Sequence, residues 1–160
     1  MRNTLRTALA TALLAGLAFS TQAQDAPAAT DAAPVAAAPA AALPAGLAAP
    51  EAGKGQVVFF RPSKMMGAAI GYKVREGETE LGKLRNGTYF VIQVEPGKHE
   101  YTVHSEAKDV LTLEVDAGET YFVQGGVSMG VLAGRPNLSP ATAEAFAAVA
   151  PKLKVAKPLD

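Results

Sequence analysis

The sequence predicts an all-β fold. It is a small antiparallel β-sandwich of about seven or eight strands, with a short C-terminal helix, preceded by a disordered Ala/Pro-rich linker. Three observations predict it. Short alternating runs rich in β-branched and aromatic residues recur between residues 54 and 138. Turn signals separate them: Glu76-Gly77-Glu78, Asn86-Gly87, Pro96-Gly97 and Asp116-Ala117-Gly118. No long helical period intervenes, as expected of an antiparallel sandwich or barrel.

The first expected strand covers residues 56–61, built on Val57-Val58-Phe59-Phe60 and ended by Pro62. The second covers 69–74, and a weaker third 79–84. Residues 88–94 make a strong fourth, 99–105 a fifth and 111–115 a sixth. The seventh spans 120–126, and an eighth is expected over 128–133. Side chains alternate between the faces of a strand. Phe90, Ile92 and Val94 therefore share one face, as do Leu111, Leu113 and Val115, and Tyr101 with Val103; these form the expected core. The segment 139–160 reads as a short helix and tail. Ser139 would cap the helix, Pro140 would take its first position, Glu144 lies in its first turns, and Lys152 and Lys154 lie past its end.

The N-terminal text is of a different kind. Arg2 and Arg6 precede an apolar stretch from Ala8 to Phe19 and a polar segment, Ser20-Thr21-Gln22-Ala23. Small side chains at Thr21 and Ala23 fit signal peptidase, so residues 1–23 read as a signal peptide cleaved after Ala23. The apolar stretch is shorter than the ~20 residues that a membrane span needs. A periplasmic or secreted product with no integral span after cleavage is expected. Residues 24–53 are dominated by Ala and Pro, including Pro27, Pro34, Pro39, Pro44 and Pro50. Each proline removes a backbone donor and disfavours helix before it, so this stretch reads as a disordered, semi-extended linker. The sandwich itself is expected over 54–138.

Composition excludes several functions. The chain has no cysteine, hence no disulfide, thiolate metal site, thiol nucleophile or lipid-bearing lipobox. Fifteen basic residues balance fifteen acidic ones, with no basic run along the chain, so no nucleic-acid partner is expected.

Several segments together carry a resemblance: residues 53–64 (Gly-Lys-Gly-Gln-Val-Val-Phe-Phe-Arg-Pro-Ser-Lys), 84–90, 95–99, 117–123, and 125–130 with Gly134-Arg135-Pro136. In this order they resemble the bacterial exported domain of unknown function 2846 family over about residues 54–138. The resemblance implies a small sandwich module acting as an accessory or binding domain, and no established activity. Many relatives look like lipoproteins, and this chain departs from them in having no lipobox cysteine.

Three patterns suggest chemistry and are weighed against it. Gly126-Val127-Ser128-Met129-Gly130 is a literal G-x-S-x-G, but no helix is expected after it and no histidine follows it, as a hydrolase elbow would require. Gly126, Gly130 and Gly134 are spaced for a membrane-helix dimer, but the surrounding apolar run is too short to span. His99 and His104 are five apart on one strand and point to opposite faces, which disfavours a shared metal. No catalytic residue, cofactor or metal is expected.

Two Arg-Pro segments remain as the candidate interaction rim: Arg61, Ser63, Lys64, Met65 and Met66 in one, Ser128, Met129 and Arg135 in the other. Methionine beside glycine makes an adaptable contact surface, and arginine suits an anionic partner. The simpler reading is that the two segments pack on each other as a buried flap, with the arginines capping strand ends, because apolar surface normally hides itself. The expected function is a non-enzymatic interaction or accessory module of the bacterial cell envelope, whose partner is another envelope protein or a glycan. The alternative is a small-ligand or glycan-binding sandwich, with Tyr72 and Tyr89 as its stacking pair.

Overall fold

In a computed structural model, the described residues are 43, 46–105, 108–130, 134–157 and 159. The expected signal peptide, and residues 24–42, 44 and 45 of the expected linker, lie outside them. So do Val131, Leu132 and Ala133 of the expected eighth strand.

Two sheets face each other. The first has the order β8-β7-β1-β4-β9, from Gly134–Ala141, Thr120–Met129, Gly55–Arg61, Thr88–Val94 and Lys154–Val155 respectively. The second has the order β3-β2-β5-β6, from Thr79–Leu84, Tyr72–Glu76, Gly97–His104 and Lys108–Val115. The sandwich expected from the sequence is therefore present, with one refinement. β1 runs antiparallel to β4 but parallel to β7, and β4 runs parallel to β9, so the first sheet is mixed.

The main core fills the space between the sheets. β1 contributes Val57 and Phe59, β5 Tyr101 and Val103, β6 Leu111, Leu113 and Val115, and β7 Tyr121 and Val123. Phe59 stacks on Phe90 at 5.1 Å and meets Tyr101 edge-on at 5.0 Å. The expected faces of the fourth, fifth and sixth strands all point into this core, with Ile92 and Val94 at its margin.

A second, smaller core lies on the outer face of the first sheet. There Val58, Phe60 and Phe122 are covered by Phe146 of helix α1, Ala143–Val149. Phe146 lies 5.3 Å from Phe60, 5.4 Å from Phe122 and 5.6 Å from Tyr89. A helix of seven residues does not hold itself together in water, so this one aromatic anchor keeps it in place. All seven residues of β1 are consequently buried, which is why its sequence runs Val-Val-Phe-Phe instead of alternating.

The C-terminal reading needs correcting. Ser139 and Pro140 do not start a helix. They belong to β8, where Ser139 pairs with Gln124 and Pro140 with Val123. β8 is an edge strand, the position in a sheet that tolerates proline, and it holds both Pro136 and Pro140. The helix is capped instead by Thr142, whose side chain accepts from Ala145 N–H at 3.2 Å. A 3-10 turn, Ala150–Lys152, then leads into β9, which the sequence did not reveal.

The expected linker also ends earlier than its composition indicates. Leu47 packs against the second core. Gln56 Nε2 donates to Ala48 O at 3.1 Å, and Glu51 N–H donates to Gln93 Oε1 at 3.2 Å. Residues 46–53 are thus part of the domain surface.

Candidate interaction surface

The two Arg-Pro segments meet at one end of the first sheet, where β1 and β7 finish and β8 begins. After β1 the chain makes two successive turns, closed by Ala68 N–H to Met65 O at 3.3 Å and Ile70 N–H to Gly67 O at 3.0 Å. This double turn lies over the β7–β8 hairpin. A methyl placed on Gly67 would meet Val127 at 3.1 Å, and one on Gly134 would collide with Ile70. Gly67 also has a φ of 71°, which favours glycine. The glycines are therefore small because the segments press together.

Arg61 organises the turn from within. Its side chain is buried, with its guanidinium donating to Ile70 O at 2.6 Å and Gly67 O at 2.7 Å. The same group lies over the Tyr72 ring, 5.5 Å from its centre. The sequence allowed Arg61 and Arg135 to share a rim. The structure turns Arg61 inward, because two carbonyls and an aromatic face satisfy it there, and leaves Arg135 exposed on β8.

The remaining candidates are at the surface. Ser63 Oγ accepts from Asn86 Nδ2 at 3.2 Å, and Lys64 N–H donates to Asn86 Oδ1 at 2.9 Å, which pins this stretch to the β3–β4 turn. Met65 is 96% exposed, Met66 59% and Met129 74%. Ser128 is exposed and donates to Arg135 O at 3.3 Å, and it pairs with Arg135 in the ladder, one step before Met129 with Gly134. Ser105 Oγ donates to Gly134 O at 2.7 Å, and Asp109 Oδ2 accepts from Leu138 N–H at 2.9 Å. Both tie β8 to the second sheet.

The other side chains with chemical potential have structural partners. G-x-S-x-G lies along a paired strand, not at a strand-to-helix turn. His99 stacks on Tyr101, with Nδ1 2.6 Å from Glu76 Oε1 and Nε2 2.8 Å from Glu95 O, whereas His104 is exposed on the opposite face. Among the described residues, no group of three or more His, Cys, Asp and Glu is placed to hold a metal ion. Tyr72 and Tyr89 do not form a surface pair: Tyr72 is buried in the main core and Tyr89 packs on the second. The Tyr72 hydroxyl is buried against Gly125 and, among the described residues, has no hydrogen-bond partner; burial pushes its ionisation well above the usual tyrosine range.

Sequence reasoning identified the two segments but missed what joins them. Ile70, Val127 and Tyr72 make the contact, and glycines facing large apolar residues at 67 and 134 are its trace in the sequence.

Two face-to-face sheets, with a helix over one outer face and a methionine-tipped end, define a small all-β sandwich domain. Residues 51–135 match the model of the family described as "Protein of unknown function (DUF2846)". The chain belongs to that family. Comparison with curated proteins and with solved structures found no match.

Proposed function

We propose that the protein is an exported, non-enzymatic interaction module of the bacterial cell envelope. In this reading it binds another protein through the double turn after β1 and the tip of the β7–β8 hairpin. The observation that carries this is the exposure of Met65, Met66 and Met129 on two segments that pack against each other. Flexible, polarizable side chains on a firmly held base suit an adaptable protein contact. Arg135 and Lys64 supply charge at its margin.

Other features favour the same reading over its rivals. Ser128 is engaged with the backbone of the neighbouring strand, which disfavours a hydrolase. A glycan site loses its aromatic platform with Tyr72 in the core. The export reading rests on the signal pattern at Arg2, Arg6 and Ala8 to Ala23. Among the described residues no helix is long and apolar enough to cross a membrane.

The test is a pull-down from envelope extract, with the exported protein as bait. The triple variant Met65→Ser, Met66→Ser and Met129→Ser should lose the captured protein while melting as the parent does. Arg135→Ala should weaken capture, again with little change in melting. Equal capture by all variants would overturn the assignment, and elution by soluble sugar would replace it with the glycan reading. Mass spectrometry of exported material should find Gln24 at the mature N-terminus; intact Met1 on membrane-bound protein would make it a tethered one.

A further inference from the structure

Charge that is balanced along the chain is not balanced in space. A cleft of about 500 Å³ opens between the edge of the second sheet and the C-terminal tail. Lys73 of β2, Lys83 of β3 and Arg85 line one wall; Lys154 of β9 and Lys157 line the other. Among the described residues, five basic side chains gather there with one acidic one, Glu80.

Glu80 offsets only part of the cluster. Its carboxylate is already taken by Lys73, at 2.5 Å, and by Arg75, which approaches from outside the cleft. Those cations hold it below the usual carboxylate range, the Lys73 hydrogen bond foremost. Among the described residues, no salt bridge engages Lys83, Arg85, Lys154 or Lys157. Like charges held together across a concave surface raise the local potential and attract anions. Thr88 also lines the cleft; its hydroxyl is fixed by Arg85, accepting from Arg85 N–H at 2.9 Å and donating to Arg85 O at 3.0 Å.

We propose that this cleft binds a multiply charged phosphate ligand. A short chain of phosphoryl groups offers oxygens to the cations of both walls at once, which suits a space of this size better than a single inorganic phosphate does. Arg85 offers the forked donor geometry that suits phosphate oxygens, and the lysines act as mobile point charges around it. The second wall is lightly held. β9 joins β4 through Lys154 N–H to Gly87 O at 3.0 Å and Ala156 N–H to Tyr89 O at 2.7 Å. A ligand bridging the walls therefore fastens the tail to the second sheet, which no protein side chain does through an ion pair among the described residues. The site is lined by none of the methionine-bearing residues and stands independently of the proposed protein contact.

Calorimetric titration of the protein with tripolyphosphate tests this, with inorganic phosphate and citrate at matched ionic strength as comparisons. Tripolyphosphate should bind saturably, more tightly than either, and raise the melting temperature. Arg85→Gln on one wall, and Lys154→Gln with Lys157→Gln on the other, should each weaken binding by roughly tenfold. A control at the far end of β5, Lys98→Gln, should not. Equal loss in the control would reduce the effect to general charge attraction and overturn the site. Citrate binding as tightly as tripolyphosphate would overturn the phosphate assignment, and absence of saturable binding would overturn both.

Discussion

At the scale of the residue, two arginines with similar neighbours in sequence have different surroundings. Arg61 is buried and holds a turn together from inside, while Arg135 is exposed on an edge strand. Arg61→Ala would strand the carbonyls of Gly67 and Ile70 and open a void beside Tyr72. It should lower stability by about 2–4 kcal/mol, measured by urea unfolding. Arg61→Lys should recover little of that, because one ammonium cannot match a fork spanning two carbonyls. Arg135→Ala should change stability by less than about 1 kcal/mol. Nothing in "Arg-Pro" distinguishes the two positions. The difference arises from Tyr72 and Ile70, which reach Arg61 only once the double turn has formed and carried the chain across to the second sheet, and strand patterning does not display contacts made by a turn.

At the scale of the element, the strands with alternating text were legible and those without it were not. Residues 79–84 and 88–94 agree with β3 and β4 to the residue, because period-two patterning and flanking turns fix both ends. β8 was missed because two prolines and an asparagine hide a strand whose burial nonetheless alternates. β9 has two residues and no signal of its own. The end of the Ala/Pro-rich stretch was misjudged because a single apolar residue, Leu47, is enough to dock it. That gives a prediction by truncation. Removing residues 24–45 should leave the unfolding midpoint unchanged. Removing 24–53 should lower it, with stability falling by about 1–3 kcal/mol for the loss of a partly buried leucine and its accompanying hydrogen bonds. Identical midpoints would mean that the Leu47 contact contributes nothing.

At the scale of the whole molecule, pH should act asymmetrically. Burial raises the hydroxyl pKa of both Tyr72 and Tyr101; Asp109 adds to it at Tyr72 against an opposing Arg61, and Glu76 adds to it at Tyr101. A raised folded value means that the stabilisation is fully present below the unfolded value of about 10 and is lost as pH rises beyond it. The acidic side runs the other way. Glu80 is lowered by Lys73 first, and Glu144 by its own backbone N–H and Thr142, so their contribution is present above about 4.5 and fades below it. Glu144 is exposed and Glu80 only half-buried, so solvent screens both and the acid decline should be shallow and the alkaline one steep. Urea midpoints between pH 3 and about 11 check this. Tyr101→Phe should flatten the alkaline limb with little cost at neutral pH, since its hydroxyl makes no hydrogen bond among the described residues.

The burial of β1 on both faces has a consequence for how the chain reaches this state. Val57 is paired with Ile92 on one side and Tyr121 on the other, so its ladders close only after long stretches of later chain have returned to it. Its outer face is covered later still, by Phe146. Pairings so distant in sequence are slow to form, on the order of milliseconds to seconds for sandwiches of this kind. Throughout that interval Val57-Val58-Phe59-Phe60 is an uncharged, proline-free strand with open edges, the type of segment that pairs with its copies in other chains. The segment that makes the finished domain cohere is therefore also the one through which newly made molecules would aggregate, and each of them depends on β4, β7 and Phe146, tens of residues further along, to prevent it.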